Sequence, residues 1–262
     1  MTQHKFHESF QLSPNLTINR VLTGLWQVAD IERKSGPIDP KKGADDLQRY
    51  VNSGFKTFDM ADHYGTAEII TGTLIERHKH SEERPVALTK WCPSPGPMTA
   101  DLVRKGIEER CKRLRVDRLD LLQFHWWNFE HSGWLDALHE LVVLRQEGLI
   151  SEIGVTNFDA LHLHLALADG VPLISNQVSF SLLDRRATGP LRAICKKSSV
   201  HLLGYGTLCG GFLSEKWLGT KEPDDISDWS KMKYKRFIDA SGGWNAFQGL
   251  LLAASEIAEK HD

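Results

Sequence analysis

KTFDMADHYGTAE, residues 56–68, is the segment on which the fold turns. Its first four residues have strand character and close on Asp59, and helical periodicity begins at residue 66. A strand, a short loop and a helix in immediate succession make half of a βαβ unit. The same segment carries Asp59, Asp62, His63, Tyr64 and Glu68, so the connection is loaded with ionisable groups. Asp62 and His63 read as loop residues, and Glu68 as a carboxylate in a helical first turn, where it favours the dipole.

The alternation continues along the chain. Apolar runs of strand length occur at RVLTG (20–24), KTFD (56–59), VALTK (86–90), LDLLQFH (119–125), ISEIGV (150–155), LISNQV (173–178) and HLLGY (201–205). Helical patterns fill 40–53, 66–78, 99–114, 134–147, 159–168 and 189–197. Strict strand/helix alternation calls for a parallel sheet with crossover helices. Asp39 and Pro40 supply an N-cap and a first-turn proline, while Gly54 and Gly148 stand where left-handed terminators belong. The polar stretch from Phe212 to Ser241 reads as a long excursion without a strong pattern.

A length of 262 residues suits one α/β barrel, which takes about 250. The expectation is therefore a single domain over 1–262. With 41% hydrophobic and 25% charged residues the chain can bury a real core. A net charge of −2 gives no field for nucleic acid or an anionic membrane. Cys92, Cys111, Cys195 and Cys209 have no CxxC or metal-ligand spacing, so a reducing compartment and no metal are expected. The leading MTQHKFHESF lacks a signal-peptide or transit composition, and no run reaches a membrane span of about 18 apolar residues. A cytoplasmic location follows, or an organellar one if a targeting segment lies outside this chain.

In a parallel barrel the C-terminal ends of the strands meet at one face, where active sites are built. Those ends carry Asp59, Lys90, His125, Thr156 with Asn157, Asn176 with Gln177, and Tyr205. One such residue is usually a solvated loop group or a cap; three successive strands ending in Asp, Lys and His form a constellation. No GxGxxG after a strand, GxxxxGK[ST], GxSxG or HExxH occurs, which removes support for Rossmann, P-loop, hydrolase-elbow and zincin chemistry.

The order Asp59, Tyr64 in DMADHYG, Lys90 in LTK and His125 in LLQFH resembles the catalytic tetrad of the aldo-keto reductases. GVTNF (154–158), SNQV (175–178) and GYGTLCGG (204–211) resemble that family's nicotinamide-binding strands, so the likeness covers residues 20–211. It implies a TIM (β/α)8-type barrel that reduces aldehydes or ketones with NADP(H) or NAD(H), a small-molecule carbonyl being the partner. Tyr64 would be the general acid. Lys90, within hydrogen-bond reach, would favour the phenolate, Asp59 would hold Lys90 charged and aimed, and His125 would orient the carbonyl. By the same resemblance Thr156, Asn157 and Gln177 would hold the nicotinamide carboxamide, Tyr205 would stack on its ring, and the backbone from Leu208 to Gly210 would approach the pyrophosphate. Trp26, Trp126 and Asn128 would line the substrate pocket and favour an apolar or aromatic carbonyl.

After Tyr205 the one strong pattern is a helix over 243–261, with no eighth strand. The expectation is a barrel truncated after helix seven. That departure keeps a second hypothesis open, a non-catalytic regulatory or scaffold protein that has lost cofactor binding. A metal-dependent barrel hydrolase is disfavoured, because Asp59 and His125 alone stand as ligands at the strand ends. The oligomeric state is not legible.

Overall fold

A computed structural model describes residues 8–26, 36–81 and 83–261, with the side chain of Trp229 outside that description. Residues 1–7, most of the segment examined for a targeting signal, also lie outside it.

A hairpin not anticipated from the sequence opens the described chain. Strand β1 (Ser9–Ser13) pairs antiparallel with β2 (Leu16–Asn19) across a Pro14-Asn15 turn. Asn19 then ties this hairpin to the first long βα unit: its Oδ1 accepts from the Lys56 and Thr57 amides at 2.7 and 3.0 Å, and its Nδ2 donates to Gly54 O at 3.0 Å. The expected strand over 20–24 shrinks accordingly to β3 (Thr23–Gly24). The Arg20 amide is committed to Glu8 O at 2.8 Å, so the ladder with the next strand begins only at Thr23.

From there strands and helices follow the expected order. They are α1 (Pro40–Asn52), β4 (Thr57–Asp59), α2 (Ala67–Arg77), β5 (Val86–Trp91), α3 (Ala100–Leu114), β6 (Leu119–His125), α4 (Gly133–Gln146), β7 (Ile150–Thr156), α5 (Ala160–Ala168), β8 (Leu173–Ser179), α6 (Pro190–Lys197) and β9 (His201–Tyr205). Strands β3 to β9 lie in sequential order in one parallel sheet of seven strands, the α/β architecture of a TIM-type barrel. Among the described residues no eighth parallel strand follows β9. No helix is long and apolar enough to cross a membrane.

Helix α1 starts where its sequence says it should, with Asp39 accepting from the Lys42 amide at 2.9 Å and Pro40 in the first turn. Its buried residues Gly43, Ala44, Leu47 and Val51 recur at helical spacing. Gly43 presses on Ile70 of α2, and a Cβ added there would stand 2.8 Å from the Ile70 side chain.

Two compact units divide the chain: residues 1–177 with 194–202, and residues 178–193 with 203–262. The first holds the strand ends from Asp59 to Gln177. The second has its own core, in which Cys209, Phe212, Tyr234, Ile238, Trp244, Phe247 and Leu251 cluster. The stretch 212–241 is more ordered than its polarity suggests, because it contains helix α7 (Trp229–Ala240), which packs on α8 (Gly243–Lys260). Phe212 is fully buried, its ring 6.2 Å from both Trp244 and Phe247, and Trp244 Nε1 donates to Thr220 O at 2.9 Å. A few aromatic anchors thus order a segment in which charged residues dominate the composition.

Gly72 tests the packing of the first unit. A Cβ there would lie 2.5 Å from Arg113 O and 2.7 Å from Leu114 C, the backbone at the end of α3. Gly72→Ala is expected to cost about 2 kcal/mol by overpacking, read as a lower urea midpoint with unchanged slope. An unchanged midpoint would contradict this close approach of α2 and α3.

Candidate active site

The sheet register brings the first functional groups together. Asp59 ends β4, Lys90 lies opposite Gln123 on β6, His125 lies opposite Thr156, and Thr156 opposite Gln177. Lys90 Nζ donates to Asp59 Oδ1 and Oδ2 at 2.9 and 2.7 Å and to Met60 O at 3.0 Å. These three acceptors match the three donors of the ammonium, whose side chain is only 3% exposed. The Lys90 ammonium stands 5.5 Å from the centre of the Tyr64 ring.

Asp59 is held from more sides than Lys90 alone. Gln123 Nε2 and Gln177 Nε2 donate to its Oδ1 at 2.9 and 2.7 Å. The Gln177 amide nitrogen, expected on a cofactor, is here engaged with Asp59. Gln123 was not anticipated; the signal is an amide in the middle of the apolar strand LDLLQFH, with no exposure.

The tyrosine loop is anchored by charges that the sequence left unassigned. Asp62 Oδ1 accepts from the His63 amide at 2.8 Å and faces His63 Nδ1 at 2.9 Å. Its Oδ2 accepts from the Cys92 amide at 2.8 Å and lies 3.6 Å from Arg110 Nη1. Burial pushes this carboxyl up, but His63, the Cys92 amide and Arg110 together carry it below its ordinary value. Glu68 is the larger departure from expectation. It is wholly buried and accepts from Thr89 Oγ1 at 2.6 Å, Arg110 Nε at 3.0 Å and Arg113 Nε at 2.7 Å. Burial raises its carboxyl above the usual range against the pull of Arg110, Thr89 and Arg113. Arg113 also donates to Gly65 O, next to Tyr64. The sequence signal is Arg110 itself, which occupies a core position in the buried stripe Val103, Ile107, Arg110 and Leu114 of α3.

Aromatic rings surround Tyr64. Trp26 and His63 lie edge-on to it, each 4.8 Å between centroids, and Trp127 lies 6.4 Å from His63. Trp127 also tilts over His125 at 4.1 Å and is 61% exposed. Trp126, expected to line a pocket, points into the core beside Phe124, and its Nε1 donates to Asn128 O at 2.7 Å. Asn128 accepts from the Glu130 amide at 3.0 Å and so stabilises a turn. The aromatic in contact with the histidine is Trp127, whereas its neighbour Trp126 is buried beside Phe124.

His125 is 6% exposed, with Nδ1 3.5 Å from Cys92 Sγ and Nε2 3.5 Å from Asn157 Nδ2. Burial, then Asp62, pushes the Cys92 thiol well above its ordinary range, which makes it a poor nucleophile. Asn157 has a left-handed backbone, φ 58°, a conformation that costs a non-glycine residue roughly 1 kcal/mol or more. Thr156 Oγ1 and Gln123 Oε1 are buried and have no hydrogen-bond partner among the described residues. A carboxamide, offering a donor and an acceptor, is the kind of group that the Thr156 hydroxyl could satisfy, so the residues fit a nicotinamide.

In the second unit, Tyr205 carries the Lys233 ammonium 4.8 Å from its ring centre. Leu208 is 62% exposed, and Gly210 has φ 64°. A Cβ at Gly206 or Gly210 would meet the Tyr234 ring, at 2.3 and 2.7 Å.

Glu68→Gln places an amide N–H against either Thr89 or the arginines, leaves Arg113 without its carboxylate partner and leaves Arg110 with Asp62 alone. The expected loss is about 3 kcal/mol, measured by urea unfolding. A stability equal to that of the parent chain would mean that this buried network does not hold the loop.

The sequence matches a model of the aldo/keto reductase family over residues 20–262. It is 28% identical over 227 residues to the chloroplastic pyridoxal reductase of Arabidopsis thaliana, covering 80% of this chain and 60% of that protein. It is 33% identical over 163 residues to flagellar radial spoke protein 5 of Chlamydomonas reinhardtii, covering 55% of this chain and 31% of that protein. The chain thus spans less than two thirds of each of these relatives. Its fold is similar to that of an aldo-keto reductase from Bombyx mori solved in complex with NADP, with a TM-score of 0.64 and 21% identity over 85% of this chain and 73% of that one. With the match extending over nearly all of its length, the chain belongs to the aldo/keto reductase family.

Proposed function

We propose that this chain reduces the carbonyl group of an aldehyde or ketone to an alcohol, using NADP(H) or NAD(H), with Tyr64 as the proton donor. The observation that carries this is the bidentate Lys90–Asp59 pair held 5.5 Å from the Tyr64 ring centre. When bound, the nicotinamide supplies the hydride that no side chain can give. Thr156 and Asn157 would hold its carboxamide.

The side chains then manage the charge that develops on the substrate oxygen. Tyr64 gives its proton to that oxygen, and the Lys90 charge stabilises the negative charge left on the phenol. His125, whose Nε2 lies 3.5 Å from Asn157 Nδ2, would orient the carbonyl. Solvent returns a proton to Tyr64 after the alcohol leaves. Trp26, His63 and Trp127 would form the walls, which favours an apolar or aromatic carbonyl compound. Four unpaired cysteines suit a reducing, cytoplasmic setting.

A second reading, a regulatory or scaffold protein without cofactor, is favoured by the likeness to flagellar radial spoke protein 5. Titration with NADPH and NADH, followed by nicotinamide fluorescence, separates the two. Saturable binding by a cooperatively melting chain is expected. No binding by a folded chain would favour the scaffold.

Tyr64→Phe is expected to lower turnover of an aromatic aldehyde by about 100-fold or more and to leave the NADPH dissociation constant unchanged. Equal loss of turnover and binding would remove Tyr64 from the role of acid.

A further inference from the structure

The loop before Tyr64 and the end of β5 bring together donor atoms that take no part in the proposed hydride and proton transfers. An Asp62 carboxylate oxygen, His63 Nδ1 and Cys92 Sγ all lie within 4.8 Å of one another. Cys92 Sγ is also 3.5 Å from His125 Nδ1. Zinc binds thiolate sulfur at about 2.3 Å and imidazole nitrogen at about 2.0 Å, which sets two tetrahedral ligands about 3.5 Å apart. The three cluster atoms, within 4.8 Å of one another, are a small side-chain adjustment away from sharing one ion.

We propose that Asp62, His63 and Cys92 form a three-ligand binding site for a zinc-class divalent cation, with water as the fourth ligand. An imidazole, a thiolate and a carboxylate are a borderline-soft set, suited to zinc and unsuited to magnesium or calcium, which demand oxygen. The charges balance, since one carboxylate and one thiolate offset a dication. Binding breaks the Cys92 S–H bond and forms a sulfur–metal bond, with the proton passing to solvent; a coordinated thiol gives up its proton to the ion.

The surrounding cation does not block the site. Arg110 lies 3.6 Å from Asp62 Oδ2, the oxygen that also takes the Cys92 amide, whereas Oδ1 is the oxygen turned to His63. The ion would take Oδ1, and Arg110 with the amide would then orient the ligand through Oδ2, as an outer shell does in metal sites. The His63 side chain, 35% exposed, gives the ion a way in. Because His63 adjoins Tyr64, the bound ion would also slow turnover; that consequence alone rests on the reductase reading.

The probe is cobalt(II), added to the full chain under thiol-reducing conditions and followed by absorbance. One cobalt per chain is expected, with strong visible bands of tetrahedral geometry and a sulfur-to-metal charge-transfer band, all displaced by zinc. Cys92→Ser should abolish the charge-transfer band, and His63→Ala, an exposed-loop change that keeps Cys92 in place, should weaken binding at least tenfold. Cys195→Ser, which lies outside the cluster, should change nothing. Absence of the charge-transfer band in the parent chain, its survival in Cys92→Ser, or unchanged affinity in His63→Ala would overturn the site. A cobalt spectrum as expected in a chain that reduces no carbonyl would uphold the site and remove the reductase reading.

Discussion

The bond between Lys90 and Asp59 is the constraint around which the first unit is arranged. A buried ammonium has to find acceptors, and the three that Lys90 finds come from Asp59 and Met60, at the C-terminal end of β4. Asp59 in turn gathers Gln123 and Gln177, so one carboxylate links β4 with β5, β6 and β8. An isolated Lys or Asp at this depth would lose several kcal/mol. The pair is tolerable because each member's hydrogen-bonding capacity is filled. A consequence is that the ammonium keeps a fixed position beside the tyrosine ring.

Tyr64 stands on a loop, and loops are poor platforms unless tied down. Here the ties are ionic and come from α3. Arg110 reaches Asp62 and Glu68, while Arg113 reaches Glu68 and Gly65 O, so the residues on both sides of Tyr64 are gripped. Thr89 joins Glu68 to the strand that carries Lys90. The phenol and the ammonium are thereby referred to one buried carboxylate. Positioning of this kind is what a proton donor needs, since small misplacements of a reacting group cost large factors in rate.

How much of this could be seen in the sequence depends on the range of the interaction. The strand and helix order was legible because each element carries its own signal: LDLLQFH and HLLGY become β6 and β9 without adjustment, and Asp39-Pro40 starts α1. The hairpin β1–β2 was not, since its strands of five and four residues carry little pattern of their own, nor was helix α7, which depends on a few aromatic anchors such as Phe212. In the candidate site, Asp59, Lys90 and His125 were visible as strand-end residues. Glu68 was not, because its first-turn position satisfies a local rule that the buried arginines of α3 override. Trp126 and Trp127 show the limit at its finest: two aromatics after His125 are legible in the chain, but only packing against Phe124 decides which of the adjacent indoles turns inward.

The segment GYGTLCGG calls for the same discipline. By resemblance its glycines would let backbone approach a pyrophosphate, yet each has a nearer reason to be glycine. Gly206 and Gly210 have positive φ, and a side chain on either would collide with the ring of Tyr234. The Tyr234 ring is itself buried in the second unit's core, with Cys209 and Phe212 around it. A glycine already required by a core tyrosine cannot also be counted as independent support for a cofactor. Support for a nicotinamide therefore comes from the first unit, where Thr156 at the end of β7 and Asn157 after it offer the hydrogen-bonding types that a carboxamide takes up.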